Sequence, residues 1–120
     1  MEWTPITIQE IYEKVLDAET NLVGELSNFW DLIKIYPEKW DEPHYGKEGN
    51  GFWIVAIIGN RVIWYNDIEE GFNVSHYKKY GEINGYYCNQ DELIWAIQNL
   101  FQLIRFEGDI IGRAAGPEPK

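Results

Sequence analysis

The sequence predicts an α+β domain in which an antiparallel sheet of about five strands carries an N-terminal and a C-terminal helix on one face. Three observations point there: a helical stripe near each end of the chain, a Gly59-Asn60 dipeptide between two apolar β-rich runs, and an alternating polar segment after them. The chain has 120 residues. A domain of that length buries roughly two thirds of the surface its unfolded chain exposes, so one core serves without staples. Residues 1–111 are expected to form this single globular domain. The tail from Gly112 to Lys120 lacks core-forming side chains and is expected to be disordered.

The first helix is announced by Thr7-Ile8-Gln9-Glu10, a capping box in which Glu10 reaches back to the Thr7 amide. Ile8, Ile11, Tyr12, Val15 and Leu16 then follow the i, i+3, i+4, i+7, i+8 rhythm of an amphipathic helix. Leu22, Val23 and Leu26 prolong the stripe while Gly24 weakens it, which predicts a helix over about 8–26. Residues 29–36 are ambiguous between helix and strand, and Pro37 tilts them toward strand because it holds Tyr36 extended. The polar stretch 38–51, with Pro43, Gly46, Gly49 and Gly51, reads as a loop anchored by Trp40 and Tyr45.

Phe52–Ile58 and Arg61–Asp67 flank the two-residue Gly59-Asn60 turn, the signature of a β-hairpin with positive φ at the glycine. The turn predicts Ile57 opposite Val62, Val55 opposite Trp64 and Trp53 opposite Asn66 on one face. The other face would pair Ala56 with Ile63, Ile54 with Tyr65 and Phe52 with Asp67. Both faces of the first strand are apolar, so it belongs in the middle of the sheet. Alternation over Phe72–Tyr77, a turn at Lys78–Gly81 and Ile83 predict a second, more polar hairpin. Asn89 then reads as the N-cap of a last helix whose stripe is Leu93, Ala96, Ile97, Leu100, Phe101 and Ile104.

Composition narrows the function. Twenty acidic residues against ten basic ones give a net charge of −10 and a pI near 4.5. Nucleic-acid affinity comes largely from Lys and Arg contacts that release counterions, so a phosphate-backbone binder is disfavoured, and an anionic membrane surface equally. The single cysteine, Cys88, excludes an internal disulfide and a cysteine-only metal site. No apolar run reaches the roughly 18–20 residues of a membrane span. The first residues lack the basic-then-apolar layout of a signal peptide. The expectation is a soluble, cytoplasmic domain with no cofactor and no metal.

Candidate chemistry is sparse. Cys88, His76 and Asp67 supply the residue types of a thiol–imidazole–carboxylate system but follow no recognised order. His44 and His76 with Asp41 and Glu42 lack the close spacing of metal ligands. Asp67-Ile68-Glu69-Glu70 lacks the alternating donors of a calcium loop and reads as a solvated acidic turn. The aromatic content stands out more: six Trp, eight Tyr and five Phe, with Trp3, Trp40, Tyr45, Tyr77, Tyr80, Tyr86 and Tyr87 outside the core stripes. Such side chains dominate protein-interface hot spots. The reading is therefore a non-enzymatic domain that binds a basic protein partner. Asp41, Glu42, Asp67, Glu69 and Glu70 would supply charge, and Trp40, Tyr45, Tyr65 and Tyr77 would anchor the contact. The alternative is a small hydrolase or ligand-binding domain with a pocket between the sheet and the 38–51 loop. A homodimer through an exposed sheet edge or aromatic patch is a third reading.

The stretch Gly51–Asn73, with its Gly51-Phe-Trp-Ile-Val-Ala-Ile-Ile-Gly59 start and Asn66-Asp-Ile-Glu-Glu-Gly71 turn, resembles a group of small bacterial proteins, as do Tyr80-Gly81 and Asn89-Gln-Asp-Glu-Leu93. That likeness covers roughly residues 25–105. In size, acidity and layout the chain is also similar to immunity proteins that neutralise secreted bacterial toxins. The resemblance implies binding in place of catalysis and, since such proteins share no common motif, assigns no site residue.

Overall fold

Thr7 caps the first helix as its sequence demands. Its hydroxyl accepts from the Glu10 amide, and the Glu10 carboxylate accepts from the Thr7 amide at 2.9 Å. The computed structural model describes residues 4–106, so the predicted 112–120 tail, the end of the predicted domain and Trp3 lie outside the described residues. The helix runs from Ile8 to Asn21 (α1) and stops there, short of the predicted end near 26. Leu22 and Val23 are extended, Gly24 takes φ +60°, and a second helix, Gly24–Ile33 (α2), follows. This corrects the sequence reading twice: one helix is two, and residues 29–33 are helical. Phe29, Trp30 and Ile33 fall at i, i+1 and i+4, which turns all three inward from α2 and buries them. Trp30 also ties the two helices together, its indole N–H donating to Glu19 at 2.8 Å.

The strand that follows is Lys34–Trp40 (β1), so part of the predicted loop is sheet. Pro37 is tolerated because β1 lies at the sheet edge and its register against the next strand shifts between Lys34 and Glu38. The hairpin forms as predicted, from Phe52–Ile58 (β2) and Arg61–Asn66 (β3). Gly71–Lys79 (β4) and Glu82–Asn84 (β5) complete an antiparallel meander in the order β1-β2-β3-β4-β5. The last helix, Leu93–Phe106 (α3), begins later than an Asn89 cap would place it. Asn89 is held elsewhere, its amide donating to the Asn73 side chain at 2.9 Å.

The register near the turn agrees with expectation at Ile57↔Val62 and Ala56↔Ile63, then slips by one between Ile54 and Ala56. Ile54 therefore faces Trp64 and Trp53 faces Tyr65, not Tyr65 and Asn66 as a regular ladder requires. The bulge sends Val55 and Ala56 to the same face, where they pack with Ile63, Tyr65 and Phe72 against all three helices. Phe52, Ile54, Val62 and Trp64 turn to the other face and form a second core with Trp40 and Ile83.

That second core exists because the sheet curls onto itself. Asp41, just beyond β1, donates its N–H to Gly81 at 2.9 Å and accepts from the Ile83 N–H at 2.8 Å, so the first and last strands meet at one end. The face away from the helices becomes a half-closed interior filled by rings. Gly59 takes φ +59° with nothing near the position of a Cβ, the conformation of the first central residue of a type II′ turn. Gly59→Val should thus cost about 1–3 kcal/mol through backbone strain alone, read as a lower midpoint in thermal unfolding. An unchanged midpoint would contradict the turn geometry.

Candidate functional site

Acidic side chains from three separate elements line one groove of the described surface. On α1, Glu10, Glu13 and Asp17 lie at i, i+3 and i+7 and so share one helix face, with Lys14 among them. The β3–β4 turn brings Asp67 and Glu70, and the segment leading into α3 brings Asp91 and Glu92. Together they surround two adjoining hollows of about 600 Å³ and 390 Å³ that share Glu13, Lys14, Tyr65 and Glu70. Among the described residues Lys14 is the one cation lining them, and its ammonium sits 5.2 Å from the Tyr65 ring centre. Trp95, half exposed, also lines the larger hollow.

Buried Asn66 shapes the turn that carries the acids. Its side-chain oxygen accepts from the Ile68 and Glu69 amides, each at 3.1 Å, while its amide group donates to the Tyr87 carbonyl at 2.9 Å. Glu70 takes φ +64° and donates its N–H back to the Asn66 carbonyl at 2.7 Å. Gln90 then closes the turn against α3's approach by donating to the Glu69 carbonyl.

The groove's charges act on one another. Burial pushes the Tyr65 phenol up, and the carboxylates of Glu70, Asp67 and Glu10 push it the same way. Glu10 is held below its ordinary value, chiefly by the hydrogen bond from the Thr7 amide. Asp67 is pushed above its ordinary value by burial, even though the Ile6 N–H donates to it at 2.8 Å. A carboxyl whose folded value is raised contributes stability below its unfolded value and loses it as pH rises through the folded one. Asp67→Asn removes that loss. The melting temperature of the variant relative to the parent should therefore move in the variant's favour between about pH 3 and pH 7. A difference constant across that range would contradict the burial of Asp67.

The nine residues expected to bind a partner do not form one surface. Tyr65, Asp67 and Glu70 belong to the groove, and Glu69 adjoins it half-buried. Asp41, Tyr45 and Tyr77 lie at the sheet's other side. There Tyr45 stacks on Tyr86 at 4.3 Å and Tyr77 packs on Trp40 at 5.0 Å. Trp40 is only 2% exposed and Glu42 only 1%, so both side chains are buried in the domain. Glu42 instead folds its own loop, accepting from the amides of His44 and Tyr45 and from the His44 ring. The space between the sheet and this loop is filled by Phe52, Trp64 and Tyr86, with ring centres 4.9 to 6.1 Å apart. His76 lies in β4 on the face of Phe72 and Val74, opposite the loop that carries His44. Among the described residues, no three His, Cys, Asp or Glu side chains stand where they could hold a metal ion.

Glu10, Glu13, Asp17, Asp91, Glu92 and Trp95 were missed by sequence reasoning. The α1 stripe of acids at helical spacing was visible in the sequence. Its meeting with the β3–β4 turn was not, because that contact spans more than half the described chain. Compared with known proteins, the chain matches no family model, no curated protein and no solved structure. No described helix is long and apolar enough to cross a membrane.

Proposed function

We propose that the chain is a non-enzymatic protein-binding domain whose acidic groove covers a basic surface on a protein partner, in the manner of an immunity-type inhibitor of a basic toxin or nuclease in the cytoplasm. The observation that carries this reading is the convergence of seven carboxylates from three elements around a groove lined by Tyr65, in which Lys14 is the one cation among the described residues. The carboxylates are spread along the groove instead of gathered on one point, which suits an extended cationic surface better than an ion. Walls of one sign focus the field and speed encounter with a basic partner. Half-exposed Trp95, in the groove's lining, is the kind of side chain that anchors such contacts.

The test uses the full chain as bait in a lysate of its source cells, beside a Glu13→Lys, Asp17→Lys, Glu70→Lys variant. All three positions are exposed, so the variant should fold and melt like the parent. The parent is expected to retain a basic protein, with an association rate that falls as salt rises. The variant should associate at least about tenfold more slowly. Equal capture by both chains, or an acidic protein as the retained partner, would contradict the proposal.

A further inference from the structure

A third concavity, of about 450 Å³, opens between β4 and α3, walled by the segment Tyr87–Asp91. Its size falls in the range of small-molecule sites. Its chemistry differs from the rest of the surface. A quarter of the chain is charged, yet α3 carries no charged residue between 93 and 104, and it offers Asn99 and Gln102 at i and i+3 on the cleft side. Among the described residues, neither of these two carboxamides hydrogen-bonds to the protein, although both are exposed at the wall. Asn89 also lines the cleft, on the segment before α3. Its wall is fixed, because the Asn89 amide donates to buried Asn73 at 2.9 Å and the Phe72 amide donates to the Asp91 carbonyl at 2.8 Å. Apolar groups of Phe72, Val74 and Leu103 line the cleft, and the Tyr87 ring is partly open at it.

We infer that this cleft binds a neutral, unphosphorylated saccharide. Among the described residues no Lys, Arg or His lines it, and the charge it does hold is that of Asp91, so a phosphate or carboxylate ligand would meet repulsion without compensation there. A carboxamide both donates and accepts, as a sugar hydroxyl does, so Asn89, Asn99 and Gln102 match a polyhydroxylated ring from either direction. The apolar lining and the Tyr87 face suit the C–H face of a pyranose. The inference stands apart from the acidic groove, since Asn89, Asn99 and Gln102 lie outside that groove's lining and the ligand is of another class.

Isotope-labelled full chain titrated with glucose, N-acetylglucosamine, maltose and cellobiose, each up to about 50 mM, reads it directly. At least one of these sugars is expected to shift the Asn99 and Gln102 side-chain amide signals and the Tyr87 resonances saturably. Affinity should fall at least tenfold in Asn99→Ala, Gln102→Ala, whose melting temperature stays that of the parent. Phosphorylating the binding sugar should weaken it by at least as much. No saturable shift with any of the four would overturn the inference, as would shifts that survive in the double variant. Saturable binding of N-acetylalanine methylamide with none by the sugars would overturn it in favour of a peptide site.

Discussion

Gly71→Ala is expected to cost the domain roughly 3–5 kcal/mol, among the largest losses open to a single methyl group here. Gly71 opens β4, and a Cβ on it would run into the Asn89 carbonyl oxygen and the Gln90 backbone. These are main-chain atoms that cannot swing aside. The segment 89–91 would have to lift off the strand. That movement would break the Phe72-to-Asp91 bridge and the hold of Asn73 on Asn89. Buried donors left without acceptors add about 1–3 kcal/mol each to a steric cost of similar size. Chemical denaturation should show the loss as a lower midpoint. A variant as stable as the parent would show that segment 89–91 does not sit against β4.

Trp64→Ala is expected to lose about 3–5 kcal/mol for a different reason, a cavity. Trp64 is fully buried in the half-closed interior, packs on Phe52 at 4.9 Å, and donates its indole N–H to Ser75 at 2.8 Å. Trp95 provides the contrast. It is 52% exposed on α3, so Trp95→Ala should change stability by less than about 0.5 kcal/mol. Paired unfolding curves test both statements together. Equal losses would mean that the interior opposite the helices is not a core.

These two tryptophans show how far the sequence could be read. The Gly59-Asn60 turn, the capping box at Thr7 and the α3 stripe rest on local chemistry, and each was visible from its own neighbours. The one-residue slip at Val55 was not, because nothing in an apolar run marks a bulge. The slip decides which of its side chains join the helices and which the interior. Trp40 looked like a loop residue because the stretch around it is polar. It is buried because Asp41 closes the first strand onto the last, a contact between residues about forty positions apart. The same limit governed the site. Asp67 and Glu70 were legible as an acidic turn, whereas their alignment with the acids of α1 depends on how the helix crosses the sheet.

Whether the groove is the cation-binding face can be read residue by residue. Isotope-labelled chain is titrated with a ten-residue lysine peptide while its amide signals are followed. The largest shifts are expected at Glu13, Asp17, Glu70, Asp91 and Trp95, shrinking as salt is raised through about 0.15 M, where the screening length falls to about 8 Å. Shifts centred on Asp41 and Tyr45, or spread evenly over the acidic surface, would contradict it.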